Sequence, residues 1–242
     1  MLRTGDGRPQ AVFFDLYETL ITEFDPNFTP RPTLAEWLQV DHQRFVAEWR
    51  KFQKRKMEGK IPNFPAVLKE ICQRLEVIPP PEHVLQRLLE ERVEAKAIPF
   101  QQIEEGILQM LMRLRNAGGI KLGLISNASD EEVGGWKSSR LSSFFDDVIF
   151  SYEVGIAKPD KQIYGLACER LGVSAGASLF VGDGTSDELV GAKNAGMKPM
   201  WAVWFLNRWP EWKMPLDIRQ RNAQFTELKS LVDLISIIDS EG

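Results

Sequence analysis

The sequence predicts an α/β protein, a doubly wound parallel sheet with an all-helical segment inserted after its first strand. Three observations carry that reading. The apolar run Ala11-Val12-Phe13-Phe14 ends on Asp15, as a strand buried on both faces does when it delivers a carboxylate at its carboxyl end. From Phe100 onward, strand-like and helix-like segments alternate, the pattern of parallel strands joined by crossover helices. Between these two regions helical periodicity runs with no strand signal.

Residues 33–58, 65–77 and 82–97 place apolar side chains at spacings of three and four among charges, as in Leu34, Trp37 and Leu38, then Phe45, Val46 and Trp49. Ile61-Pro62-Asn63 and Pro79-Pro80-Pro81 break them into separate helices. Residues 104–116 read as a helix closed by Gly118-Gly119, 120–125 as a strand, 130–145 as helix or loop, and 148–151 as a strand. A helix over 161–171 ends at Gly172, a strand covers 178–181, a helix over 186–195 ends at Gly196, and a tryptophan-rich strand covers 199–205. The first strand belongs with the later ones, so the core comprises residues 1–21 and 100–242 and the helical insertion residues 22–99.

Composition narrows the chemistry. The 242 residues are 43% hydrophobic and 26% charged, which suits an ordinary globular protein rather than a disordered one. Thirty Lys and Arg against 34 Asp and Glu, with no long basic block, leave no electrostatic footprint for nucleic acid or an anionic membrane. No apolar run reaches membrane length or resembles a signal-peptide core, so a cytoplasmic location is expected. Cys72 and Cys168, His42 and His83 are the only cysteines and histidines and fall in no zinc-ligand spacing or nucleophile elbow. The chemistry should rest on carboxylates.

In an open parallel sheet, ligands sit at the carboxyl ends of the strands. There the sequence places Asp15, Ser126-Asn127 and Asp183, with Lys158 in the loop Gly155-Ile156-Ala157-Lys158-Pro159-Asp160. Two carboxylates, a hydroxyl and an ammonium suit an anionic electrophile: a nucleophile, a cation that lets like charges meet, and a donor for the transferred group.

Four segments occur in order: Phe14-Asp15-Leu16-Tyr17-Glu18-Thr19-Leu20, Leu124-Ile125-Ser126-Asn127, Lys158-Pro159-Asp160, and Val181-Gly182-Asp183-Gly184-Thr185-Ser186-Asp187 leading to Gly191-Ala192-Lys193-Asn194-Ala195-Gly196. Together they resemble the four motifs of the haloacid dehalogenase superfamily, and the inserted helices resemble the helical cap of its first cap class. The resemblance implies a Rossmann-like core with that cap and a Mg²⁺-dependent hydrolase of small phosphorylated metabolites. It further implies that Asp15 is the nucleophile and passes through an aspartyl-phosphate. Ser126 and Asn127 would hold the transferred group with Lys158, while Asp15, the Tyr17 backbone carbonyl, Asp183 and Asp187 would bind Mg²⁺, an all-oxygen set of the kind this cation prefers.

One position departs from the phosphatase pattern. Where those enzymes usually carry an acid–base aspartate two residues after the nucleophile, this chain has Tyr17, whose ordinary pKa of about 10 makes it a weak substitute; Glu18 is the other candidate for the role. Tyr17 also resembles the first motif of metal-independent 2-haloacid dehalogenases, as does the stretch Trp204-Phe205-Leu206-Asn207-Arg208. Asp183 speaks for the phosphatase reading, since a second buried carboxylate beside Asp15 needs a cation. A non-catalytic binding protein on the same fold is a further alternative.

Other features carry blander expectations. Trp201 and Trp204 read as strand residues filling core, and Trp209 and Trp212 as loop residues packing on the core, the cap or a second subunit. Arg50-Lys51 and Lys54-Arg55-Lys56 read as a solvated helix face or a steering patch for phosphorylated substrates. Monomer and homodimer both remain open.

Overall fold

The computed structural model describes residues 8–25, 33–61, 63–210 and 217–240. Strand β1 (Ala11–Phe14) lies inside a six-stranded all-parallel sheet, between β2 (Lys121–Ser126) and β4 (Ser178–Gly182). The order is β3-β2-β1-β4-β5-β6, completed by β3 (Asp147–Phe150), β5 (Lys198–Ala202) and β6 (Thr226–Leu228). Phe14 pairs in register with Leu124 and Val181, so β1, β2 and β4 end side by side. Chain order reverses direction across the sheet at β1, which opens a crevice at this end.

All four β1 residues are buried, and alternate side chains go to opposite faces. Val12 and Phe14 join one cluster with α5 (Glu105–Asn116) and α10 (Leu231–Ser240), through Leu108, Leu111, Leu234 and Ile238. Ala11 and Phe13 join the other with α7 (Lys161–Leu171) and α8 (Glu188–Asn194), through Ile163, Tyr164, Leu189 and Ala192. Two covered faces explain why β1 reads as a continuous apolar run rather than an alternating one. Gly172 closes α7 in the left-handed conformation (φ 62°), as expected of a helix-ending glycine.

Between β1 and β2 stand α1 (Leu34–Trp37), α2 (His42–Met57), α3 (Phe64–Arg74) and α4 (Glu82–Gln101), with a hydrophobic cluster of their own built on Phe45, Phe52, Leu68, Ile71 and Leu85. The single helix expected over residues 33–58 is two. Thr33 and Glu36 form a capping box on α1, and Asp41 restarts the chain by accepting a bond from the Arg44 amide at 2.8 Å. Helix α4 continues to Gln101, and its Phe100 packs into the sheet's core rather than the helical cluster.

Residues 130–145 hold only short 3₁₀ turns at Asp130–Glu132 and Ser142–Phe144. Strand β5 ends at Ala202, so Trp204 lies past it in a turn; it is still buried, donating its indole N–H to the Thr19 carbonyl at 2.9 Å. Helix α9 (Ile218–Asn222), β6 and α10 were not foreseen: β6 has three residues, two of them exposed, too few for a periodic signal. Trp212 lies outside the described residues. No helix among those residues is long and apolar enough to cross a membrane.

Candidate active site

Asp15 follows β1, and its amide donates to the Val181 carbonyl at 2.9 Å, which ties it to the end of β4. Asp183 follows β4; one of its oxygens accepts the Thr185 amide at 2.9 Å and the Thr185 hydroxyl at 2.8 Å. Ser126 ends β2 and is 1% exposed. Lys158 arrives on the loop between α6 (Ser151–Val154) and α7, and its position is held by Asn127. That amide group donates to the Lys158 carbonyl at 2.8 Å and accepts the Lys158 amide at 2.7 Å. Asn127 therefore clamps the lysine loop to the end of β2 while also lining the cavity.

Lys158 Nζ donates to Asp15 Oδ1 and to Glu188 Oε2, both at 2.5 Å. Glu188 was absent from the expected site. It opens α8, accepts the Gly184 amide at 3.1 Å through Oε1, and has its carbonyl held by the Tyr164 hydroxyl at 2.7 Å. A Cβ at residue 182 would stand 2.2 Å from Glu188 Oε1, so Gly182 is what admits this carboxylate. Asp187, expected as a metal ligand, points elsewhere and pairs with Arg221 at 2.6 Å. Ser186 and Asp187 both take left-handed backbone conformations (φ 55°), which turns the chain so that the following residue faces inward. The sequence expectation rests on Asp187 alone, and the non-glycine left-handed pair that brings Glu188 inward instead has no sequence signature.

Asp15, Asp183 and Glu188 each offer an oxygen within 4.8 Å of the others, and all three are buried. Their only cationic partner among the described residues is Lys158. Burial, with the negative charge of Glu188, pushes Asp15 up to about 7 against the pull of Lys158. Burial and Asp15 raise Asp183 to about 6, and burial with Asp183 raises Glu188 to about 7 despite Lys158. Burial alone would lower Lys158, but Asp15 and Glu188 more than offset it and keep the ammonium charged. Three carboxylates lie together against one ammonium, which pairs with two of them, and the surplus negative charge is accommodated by protons or by a further cation.

The two candidates for the acid–base role are engaged elsewhere. The Tyr17 hydroxyl donates to the Glu132 carbonyl at 2.5 Å, and burial with Glu23 and Glu132 holds its pKa above the usual phenol value. The Glu18 carboxylate accepts from the Thr22 hydroxyl at 2.8 Å, the Glu23 amide at 2.9 Å and the Trp209 indole at 2.7 Å. Trp209, whose ring lies edge-on to Phe24 with centroids 5.4 Å apart, thus pins the loop that follows the first motif.

A cavity of about 1010 Å³ lies over these groups, floored by Asp15, Ser126, Lys158 and Asp183 and roofed by the α2 residues Arg50, Gln53, Lys54 and Met57. A second buried charge cluster joins the inserted helices to the loop after β2. Lys56 of α2 pairs with Glu131, and Arg92 of α4 reaches Glu131 at 2.9 Å and Glu132 at 2.7 Å. Lys96 lies 4.0 Å from Glu132 and 2.5 Å from Glu23.

A family model described as haloacid dehalogenase-like hydrolase matches residues 9–196. The glyceraldehyde 3-phosphate phosphatase of Pyrococcus abyssi is 27% identical over 241 residues, covering 96% of this chain and 95% of that protein. The 2-haloacid dehalogenase of Pseudomonas syringae pv. Tomato DC3000 shares the fold at TM-score 0.59 and 23% identity, covering 96% of this chain and 99% of that one. The HAD-hydrolase YfnB of Bacillus subtilis, solved bound to magnesium, gives TM-score 0.61 at 19% identity with the same coverage of 96% and 99%. Since the matched span runs from the approach to β1 past the end of α8, and so takes in every residue of the charged centre, the chain belongs to the haloacid dehalogenase-like hydrolase family.

Proposed function

We propose that this hydrolase is a Mg²⁺-dependent phosphatase of small phosphorylated metabolites. The observation that carries the reading is the charge balance at Asp15: three buried carboxylates within 4.8 Å of one another, against one ammonium. Two like charges 4 Å apart cost about 4 kcal/mol at an effective dielectric of 20, so such a centre favours a divalent cation. An all-oxygen donor set suits magnesium. Asp15, Asp183 and Glu188 would hold it, with the Tyr17 backbone carbonyl as a further donor; Asp187, committed to Arg221, lies outside this set. A bound dication would neutralise charge as a carboxylate approaches a phosphoryl group.

The chain's own residues divide the remaining work. An Asp15 carboxylate oxygen attacks phosphorus, the bond to the leaving oxygen breaks, and water then cleaves the aspartyl-phosphate to release phosphate and regenerate Asp15. Ser126 donates its hydroxyl to the transferring group, and Lys158 offsets charge on Asp15 and on the phosphoryl oxygens. Asn127 positions Lys158 by gripping its backbone on both sides. With the Tyr17 and Glu18 side chains both engaged by other partners, protonation of the leaving group is weakly served, which favours aryl and acyl phosphates over alkyl ones. The phosphatase name of the Pyrococcus abyssi relative, aligned over 96% of this chain, supports the same class.

Tyr17 favours a second reading, metal-independent cleavage of a 2-haloacid by Asp15. Against it stand Asp183 and Glu188, which with Asp15 place three buried carboxylates around one ammonium, a surplus of negative charge that a metal-independent reaction does not call for. The test is p-nitrophenyl phosphate hydrolysis with Mg²⁺, with EDTA, and by Asp15→Asn, with halide release from a 2-haloacid followed in parallel. Phosphate release that EDTA and the substitution both abolish is expected; halide release indifferent to EDTA would replace the phosphatase reading with the dehalogenase one.

A further inference from the structure

The basic stretch of α2 divides three ways. Lys56 turns inward to Glu131. Lys51 pairs with Glu48 at 2.5 Å, and Arg55 lies 3.8 Å from Glu70 on the outer face. Arg50 and Lys54 follow neither course: one helical turn apart, both exposed, they line the cavity over Asp15 and have no ion-pair partner among the described residues. Like charges at i and i+4 repel on a helix surface, so the pair is a cost to α2 that an anion in the cavity removes. Lys60, just past the helix, adds a third cation to the same wall, partly offset by Glu58 at 2.6 Å.

The cavity is therefore polarised. Its floor carries the carboxylates, with Lys158 committed to Asp15 and Glu188, and its roof carries uncommitted cations. A phosphoryl group seated at Asp15 is served from the floor by Ser126 and Lys158, which leaves Arg50 and Lys54 free for another part of the same molecule. Resting on the phosphatase reading, we propose that Arg50 and Lys54 recognise a second anionic group at the far end of the substrate, so that the preferred substrates are small phosphate esters carrying an additional carboxylate or phosphate.

The test compares phenyl phosphate with 4-carboxyphenyl phosphate and phenylene 1,4-bisphosphate, which share an aryl leaving group and differ in the distal charge. The wild-type enzyme is expected to favour at least one of the doubly anionic esters by about tenfold in kcat/KM, expressed in KM, the scale of a charge-assisted contact; the arm with the larger preference identifies carboxylate or phosphate as the distal group. In Arg50→Gln/Lys54→Gln the preference should fall below about twofold, and Arg50→Lys alone should retain most of it. If circular dichroism shows the double variant misfolded, Lys54→Gln alone should cut the preference about threefold. Equal use of all three esters by the wild type, or a preference that survives in the folded double variant, would overturn the proposal. Phosphate release from none of them would instead overturn the phosphatase reading, and this proposal with it.

Discussion

Two buried charge clusters in this molecule use the same residue types and reach opposite balances. At the centre, Lys158 pairs with Asp15 and Glu188 while Asp183 lies beside them with no ion pair among the described residues, and every carboxylate is pushed upward in pKa, by burial first and by a neighbouring carboxylate after it. At the junction of the inserted helices, Lys56, Arg92 and Lys96 surround Glu131 and Glu132. Burial alone would raise Glu132, but Lys56, Lys96 and Arg92 hold it below the ordinary value. The junction balances its carboxylates with cationic side chains of its own and acts as architecture. The centre is short of positive charge, and that shortage is what the proposed cation would make good.

The strongest way to break this contrast is to unbalance the junction. Glu131→Ala leaves Lys56 buried without its partner and is expected to cost about 3–5 kcal/mol in urea unfolding, as removal of one member of a buried pair does. Its Mg²⁺-induced stabilisation should persist; a stability loss below 1 kcal/mol would make the junction ornamental. Next comes Lys158→Met, which removes the centre's one ammonium. Phosphate release should fall about 10²–10³-fold, measured as kcat with saturating Mg²⁺, and a variant within a few-fold of wild type would remove Lys158 from the chemistry.

The contrast is sharpened by pH. With Asp15 and Glu188 at about 7 and Asp183 at about 6, the metal-free folded state holds protons that the unfolded chain releases near its ordinary carboxylate values of 3.8 and 4.5. Their stabilisation is complete below about pH 4 and is lost as pH rises through 6 and 7. Mg²⁺ competes with those protons, so its thermal shift should grow from pH 5 to pH 8, reaching roughly 5–10 °C at a hundredfold excess over Kd. A shift that is constant with pH would mean that the cation binds elsewhere. The smallest effect concerns the first motif: Tyr17→Asp should raise turnover of alkyl phosphates about 10–100-fold by placing a carboxyl two residues after Asp15, the proposed nucleophile. Folded variant protein without that gain would sink the account of the missing acid.

The parts legible in the sequence are those with local causes. Short apolar runs ending on Asp15, Ser126 and Asp183 marked the strand ends, because a strand buried on both faces must read that way. Gly172 marked the end of a helix. What stayed hidden was set by tertiary arrangement. Glu188 rather than Asp187 enters the centre because two non-glycine residues adopt left-handed conformations, and Lys56, which falls on the buried face of α2 with Phe45 and Phe52, is tolerated there by a carboxylate 75 positions away. Asn127 was legible as a site residue, but its two-sided grip on the Lys158 backbone was not, since that loop lies 31 positions further on.

The central claim is that the charge deficit around Asp15 is a divalent-cation site with Glu188, not Asp187, as its third carboxylate. Isothermal titration of Mg²⁺ into wild type, Glu188→Gln and Asp187→Asn tests it most directly. The expected result is one Mg²⁺ per chain in wild type, affinity lowered about 10–100-fold in Glu188→Gln, and Asp187→Asn within about twofold of wild type, since its carboxylate pairs with Arg221 on the surface. Unimpaired binding in Glu188→Gln, or loss of binding in Asp187→Asn, would contradict it.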